Sequence, residues 1–151
     1  MITSDDLKSI IMLSYLRDSM LNKLAEVTMT AKYSAGDYIF REGDYARYLY
    51  AIVDGKIGLE LEKIANNPIL IDTIGRGHTF GVSALVDTAQ KKYLEHARAI
   101  ADTEVFVWDN TELEILFQQD YEMGYLFMKR IAMITKTRME TRAVQLIDIY
   151  S

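Results

Sequence analysis

Gly75-Arg76-Gly77-His78-Thr79-Phe80-Gly81-Val82-Ser83-Ala84-Leu85-Val86-Asp87-Thr88-Ala89-Gln90-Lys91-Lys92-Tyr93-Leu94-Glu95-His96-Ala97-Arg98-Ala99 is the stretch around which the chain is organised. Three glycines (Gly75, Gly77 and Gly81) punctuate its start. A short apolar helix candidate, Val82 to Val86, follows the last of them, and a polar run then leads into an alternating strand. A glycine lets the backbone come close to a ligand. The first N–H groups of a helix lack intrahelical partners and carry partial positive charge, so such a junction suits an anion. Ser83 adds a hydroxyl beside them. The same residues also serve as a turn that plugs one end of a β-barrel, and a short glycine motif alone does not choose between the two.

Outward from this stretch, the chain reads as many short strands. Upstream, Tyr38-Ile39-Phe40 is an apolar run between Gly36-Asp37 and Gly43-Asp44, and Arg47 to Val53 is a second run. Asp54-Gly55 gives a hairpin signal, because a tight turn there needs positive φ. Lys56 to Glu62 alternates, with Ile57, Leu59 and Leu61 on one face and Lys56, Glu60 and Glu62 read as the solvent face. Asn66-Asn67-Pro68 turns the chain into Ile69 to Ile74. Downstream, His96 to Ile100 and Val105 to Trp108 close the β region around Asp102-Thr103. Strands at this spacing, separated by glycine turns, predict a sandwich, jelly roll or barrel.

Both flanks are helical in character. Thr3 or Ser4 caps a first helix with Asp5 and Asp6 in its first turn, and Leu7, Ile10 and Ile11 share a face. Leu16, Met20, Leu21, Leu24 and Val27 repeat that pattern. These residues predict a helical lid over 1–27, followed by a β domain over 28–109 and C-terminal helices over 110–151, all within one domain. Asn110 or Thr111 is expected to cap the first C-terminal helix. Tyr121 to Ile149 then runs with no proline and one glycine. Phe127, Ile131 and Ile134 form a stripe that fades after Ile134, as expected where a helix leaves its own barrel. Met128, Ala132, Thr135, Met139, Arg142, Leu146 and Ile149 alternate spacings of four and three, and predict a homodimer seam with Arg142 as its weak point.

Composition narrows the function. A formal charge of −5 argues against a nucleic-acid partner, which needs a basic footprint. There is no cysteine for disulfide or thiolate chemistry, and no apolar run long enough to span a membrane. The N-terminus lacks the basic segment of a secretory signal, so a cytoplasmic location is expected. His78 and His96 stand 18 residues apart with no His-x-His, a poor start for a cupin-type metal enzyme. No metal, no catalytic residue and no resident cofactor are expected.

Several of these stretches resemble, in order, the cyclic nucleotide-binding domain family. Ala35-Gly36-Asp37-Tyr38-Ile39-Phe40-Arg41-Glu42-Gly43-Asp44 is similar to its opening signature, and Leu49 to Ile57 to its next strand and turn. Gly77-His78-Thr79-Phe80-Gly81 resembles the start of its phosphate-binding cassette, and Ala97-Arg98-Ala99 through Val105 the strand pair that follows. The resemblance, over roughly residues 7 to 149, implies a mainly β jelly roll with N-terminal helices and a long C-terminal dimerisation helix, as in catabolite-activator-type regulators. It implies a non-catalytic regulatory role in signal transduction.

This chain departs from the family at both polar anchors. The glutamate that takes the ribose hydroxyl is replaced by Val82, and counting back from Ala99 puts Tyr93 at or near the phosphate-binding arginine. A buried phosphate without its cation is costly, and the lost carboxylate removes a further contact on the order of 1–3 kcal/mol. The cassette Phe80, Gly81, Val82, Ser83 and Ala84 therefore reads as degenerate, similar to that of stand-alone bacterial members without a DNA-binding module, and cAMP and cGMP binding is expected to be weak or lost. Two occupants of the site are open. A cyclic nucleotide or other small anionic ligand would meet Ser83, the Ala84 amide, Tyr93, His96 and the helix residues Arg138, Thr141 and Arg142. Alternatively, Val82 and Leu85 fill the sugar space, and the domain works as a dimeric protein-interaction module with a protein partner. Outside a ligand site, Arg138 and Arg142 would belong to a solvated helix face and His96 to an exposed strand.

Overall fold

In the computed structural model, residues 1–62, 66–86 and 89–150 are described. Thr3 accepts a hydrogen bond from the Asp6 N–H, and the Asp6 carboxylate accepts one from the Thr3 N–H at 2.8 Å, which closes a capping box on α1 (Ser4–Leu7). The helix stops there. Ile10 is extended, a 3-10 turn covers Ile11–Tyr15, and α2 follows at Asp18–Glu26. That break rotates the chain, so Ile10 is buried while Ile11, expected on the same face, is exposed.

Among the described residues, eight strands form two antiparallel sheets: β1 (Met29–Tyr33), β2 (Tyr38–Phe40), β3 (Tyr48–Asp54), β4 (Lys56–Leu61), β5 (Ile69–Gly75), β6 (Thr79–Phe80), β7 (His96–Ala99) and β8 (Thr103–Asp109). Their orders are β1-β8-β3-β6 and β2-β7-β4-β5. The architecture is a mainly β jelly roll with flanking helices. Asp54-Gly55 does not close a hairpin. β3 pairs with β6 and β8, whereas β4 pairs with β5 and β7, so the turn carries the chain between sheets. Gly55 has φ +114°, and a Cβ there would lie 2.7 Å from Asp102 O. The Thr103 hydroxyl accepts from the Lys56 N–H at 3.1 Å, occupying a backbone group that a hairpin would have paired.

The solvent face assigned to β4 also needs correction. Glu60 pairs with His96 in an unbroken register and stays on the face opposite Leu59, yet it is 5% exposed because Tyr38 and Arg98 of the same sheet close over it. Arg98 Nε lies 3.4 Å from one of its oxygens, and the Tyr38 hydroxyl donates to the other at 3.2 Å. A buried carboxylate held by a cation and a hydroxyl is the form in which burial is tolerated.

Two cores share β3 and β8. Tyr50, Ile52, Val105 and Val107 face the barrel interior with Phe40, Ile57, Leu59 and Phe80. Leu49, Ala51, Phe106 and Trp108 face the helices with Leu13, Leu21, Leu24, Leu113 and Phe127. This is the period-two alternation of strands buried on both faces. Trp108 Nε1 donates to Thr28 Oγ1 at 2.7 Å.

α3 (Asn110–Gln119) is capped by Asp109, not by Asn110 or Thr111. The Asp109 carboxylate accepts from the Thr111 N–H at 2.8 Å and the Glu112 N–H at 3.4 Å. Asp120 accepts from the Met123 N–H and starts α4 (Tyr121–Tyr150). Phe127 and Ile131 are buried and Ile134 half-buried. Beyond Ile134 the helix stays against its barrel, contrary to the expectation that it leaves. Its inward stripe changes from apolar to polar and continues through Arg138, Arg142 and Gln145.

Candidate ligand site

Gly81 follows β6 with φ +81°, and a single 3-10 turn, Val82–Ala84, comes after it. A Cβ at Gly81 would lie 3.1 Å from Tyr48 O, so this close passage of two backbone segments favours glycine. The helix expected to Val86 is shorter, and the amides of Ala84 and Leu85 are engaged within the turn. Ala84 N–H donates to Gly81 O and Leu85 N–H to Val82 O, so the Ala84 amide is not free for a ligand. Ser83 is half-buried. Val82 and Leu85 pack against the helical core, not into the barrel where a sugar would sit.

Tyr93 belongs to the barrel core. Its ring stacks on Phe40 with centroids 3.6 Å apart, and its hydroxyl donates to Tyr48 O at 2.5 Å and accepts from the Tyr48 N–H at 3.1 Å. Burial pushes its phenol up to about 12. His96 is neither an exposed strand residue nor a free ligand. It is 4% exposed, its Nδ1 accepts from the Glu42 N–H at 2.9 Å, and its Nε2 lies 2.7 Å from Glu62 Oε2. The Glu42 contact fixes the proton of the neutral ring on Nε2, which then donates to Glu62.

The arginines of α4 do reach this end of the barrel. Arg138 donates to the Thr79 carbonyl, one residue before Phe80. Arg142 donates to Glu95 at 3.1 Å, and Gln145 donates to the Ile71 carbonyl at 2.7 Å. Thr141 is exposed, and its hydroxyl donates back to Thr137 O. Burial pushes the Glu95 carboxyl up against the pull of Arg142 and then Arg138, with Asp72 adding a smaller upward push. Burial likewise lowers Arg138. Two atoms here, Thr79 Oγ1 and Arg142 Nε, are buried without a hydrogen-bond partner among the described residues. Nothing in the sequence marks Glu95 and Asp72 as part of the site. An acid in an alternating run looks solvent-facing until the helix across from it is placed.

Of the seam residues, Ala132, Thr135, Met139, Leu146 and Ile149 are exposed, Met128 is half-buried against the helical core, and Arg142 turns to Glu95. Among the described residues no group of three or more His, Cys, Asp or Glu is placed to hold a metal, and no helix is long and apolar enough to cross a membrane.

The sequence profile of the Cyclic nucleotide-binding domain matches residues 30–120, from β1 to the end of α3. The chain belongs to the cyclic nucleotide-binding domain family. Among its relatives, the cGMP-dependent protein kinase of Plasmodium berghei (strain Anka) is 36% identical over 80 residues, covering 53% of this chain and 9% of the kinase. Human cGMP-dependent protein kinase 2 is 31% identical over 81 residues, 53% of this chain and 11% of the kinase. The match thus spans only a small part of those curated relatives. The crystal structure of a putative cyclic nucleotide-binding protein from Geobacter metallireducens GS-15 is similar, with a TM-score of 0.79 and 22% identity over 92% of this chain and 99% of that one. Thermus thermophilus Catabolite Activator Protein gives a TM-score of 0.75 and 20% identity over 92% of this chain and 62% of that one. These two likenesses show the cyclic nucleotide-binding fold.

Proposed function

We propose that this chain is a non-catalytic regulatory domain of the cyclic nucleotide-binding family in which the cassette has lost its two polar anchors, so that cAMP and cGMP bind weakly or not at all. The supporting observation is the Arg142–Glu95 ion pair, with Arg138 beside it. The cations near the cassette stand on α4, and an acid of the chain itself holds one of them. An anionic ligand would have to displace Glu95 from Arg142, and α4 would carry the response. The exposed apolar residues Met139, Leu146 and Ile149 support α4 as a homodimer seam, and a cytoplasmic setting fits the absence of cysteine.

Thermal unfolding with and without millimolar cAMP, cGMP and a cyclic dinucleotide tests this reading. A ligand at 100 times its Kd adds about 2.7 kcal/mol, or roughly 5–10 °C for a domain of this size. No shift with cAMP or cGMP is the expected result, and a shift of that size with either overturns the degenerate cassette. The second reading, a dimeric interaction module with a protein partner, draws on the same exposed face of α4. It requires that none of the three nucleotides shifts unfolding, and that substitutions on that face leave stability unchanged while abolishing association.

A further inference from the structure

The 3-10 turn Ile11–Tyr15, the β5–β6 turn and residues 130–141 of α4 enclose a groove of 520 Å³. Neither the cassette turn Val82–Ala84 nor Glu95 lines it. Its volume is within the range of small-molecule pockets, about 300–1,000 Å³. The apolar wall is Ile11, Met12, Ile74, Met133 and Ile134, with the Tyr15 ring at one end. Ile11, Tyr15 and Met133 are among the large apolar side chains left exposed, and all three border this one space.

The polar groups gather on the inner side. Thr79 is 2% exposed, lines the groove, and carries a hydroxyl with no partner among the described residues. The largely buried Arg138 donates to the carbonyl of that same residue. Arg130, over the Tyr15 ring, supplies a second cation, and Asp72 the one carboxylate in the lining. Two arginines against one aspartate, with His78 the remaining ionisable group of the lining apart from Tyr15, favour an anion. A guanidinium with an adjacent hydroxyl donor is suited to the two oxygens of a carboxylate.

We propose that this groove binds an amphipathic monocarboxylate, with its carboxylate on Arg138 and the Thr79 hydroxyl and its apolar body between Ile11, Ile74, Met133 and Ile134. Such a ligand would hold α4 against the barrel. The proposal rests on the regulatory reading only for the claim that α4 transmits the event.

The test is calorimetric titration of the full chain with decanoate, a straight-chain carboxylate, and with decanol as its uncharged counterpart. Saturable one-to-one binding of decanoate is expected. Arg138→Met should weaken it at least about tenfold, Thr79→Val several-fold, and Lys136→Met, on the exposed side of α4, not at all. If Arg138→Met fails to fold, Thr79→Val decides alone. Absence of saturable binding overturns the proposal, as does equal binding of decanol and decanoate. Decanoate binding together with a cAMP or cGMP shift keeps the groove and removes the degenerate-cassette reading. Nucleotide silence without decanoate binding does the reverse.

Discussion

Arg142, nearly six turns along α4, places its guanidinium 3.1 Å from the carboxylate of Glu95, at the entrance to β7. The contact joins the long helix to the strand that closes the cassette, on the same helix face where Arg138 and Gln145 grip backbone carbonyls of β6 and β5. A polar stripe on a helix that docks on its own barrel is a releasable attachment. Its contacts can exchange for water or ligand at less cost than buried apolar ones.

The pair has a pH signature. Burial raises Glu95 above its ordinary 4.5 and outweighs the attraction of Arg142 and Arg138. The folded chain therefore binds this proton more tightly than the unfolded chain, and the associated stability is lost as pH rises from 4.5 through the raised value. Urea unfolding across that window should show wild type losing stability relative to Glu95→Gln as pH rises. A pH-independent difference would refute the assignment.

Self-association is expected through the outward face of α4. Met139→Glu and Leu146→Glu each place a charge on an exposed apolar position. Both should shift sedimentation toward the monomer at tens-of-micromolar concentrations, with helix content by circular dichroism unchanged. A wild-type protein that sediments as a monomer there removes the seam.

Tyr93→Phe keeps the ring on Phe40 and deletes the hydroxyl that bridges the Tyr48 N–H and carbonyl. A loss of about 1–3 kcal/mol in denaturant unfolding is expected, the cost of leaving buried backbone polar groups unpaired. A neutral substitution would show that water replaces the hydroxyl.

Gly81→Ala should destabilise by about 1–2 kcal/mol from the left-handed backbone alone. The Tyr48 carbonyl and Tyr50 ring, 3.1 and 3.2 Å from the added Cβ, push the cost upward. Equal or greater stability of the variant would mean that the cassette turn relaxes freely.

The β region was legible because its signals are local. Glycine turns such as Gly36, Gly43 and Gly77, all at positive φ, punctuate apolar runs, and most strand bounds fall within a residue or two of the expected ones. Asp54-Gly55 misled because a turn dipeptide fixes backbone handedness and says nothing about which strand lies beside the next. Glu60, Tyr93 and His96 misled for a related reason. Each is polar or part-polar, and its burial is tolerated because distant parts of the chain supply partners: the Arg98 cation and the Tyr38 hydroxyl for Glu60, the Tyr48 backbone for Tyr93, and Glu42 and Glu62 for His96.

The sequence by itself determined a region of short strands, its helical flanks and a long final helix, because these depend on side-chain period and turn chemistry, and the family resemblance narrowed sandwich, jelly roll or barrel to a jelly roll. Only the tertiary structure decided which face of that helix the barrel takes. Arg142 is the one residue common to the expected seam and the inward stripe, which run one residue apart on either side of it. The half-buried carboxylate of Glu95, 47 residues away in sequence, draws it to the barrel.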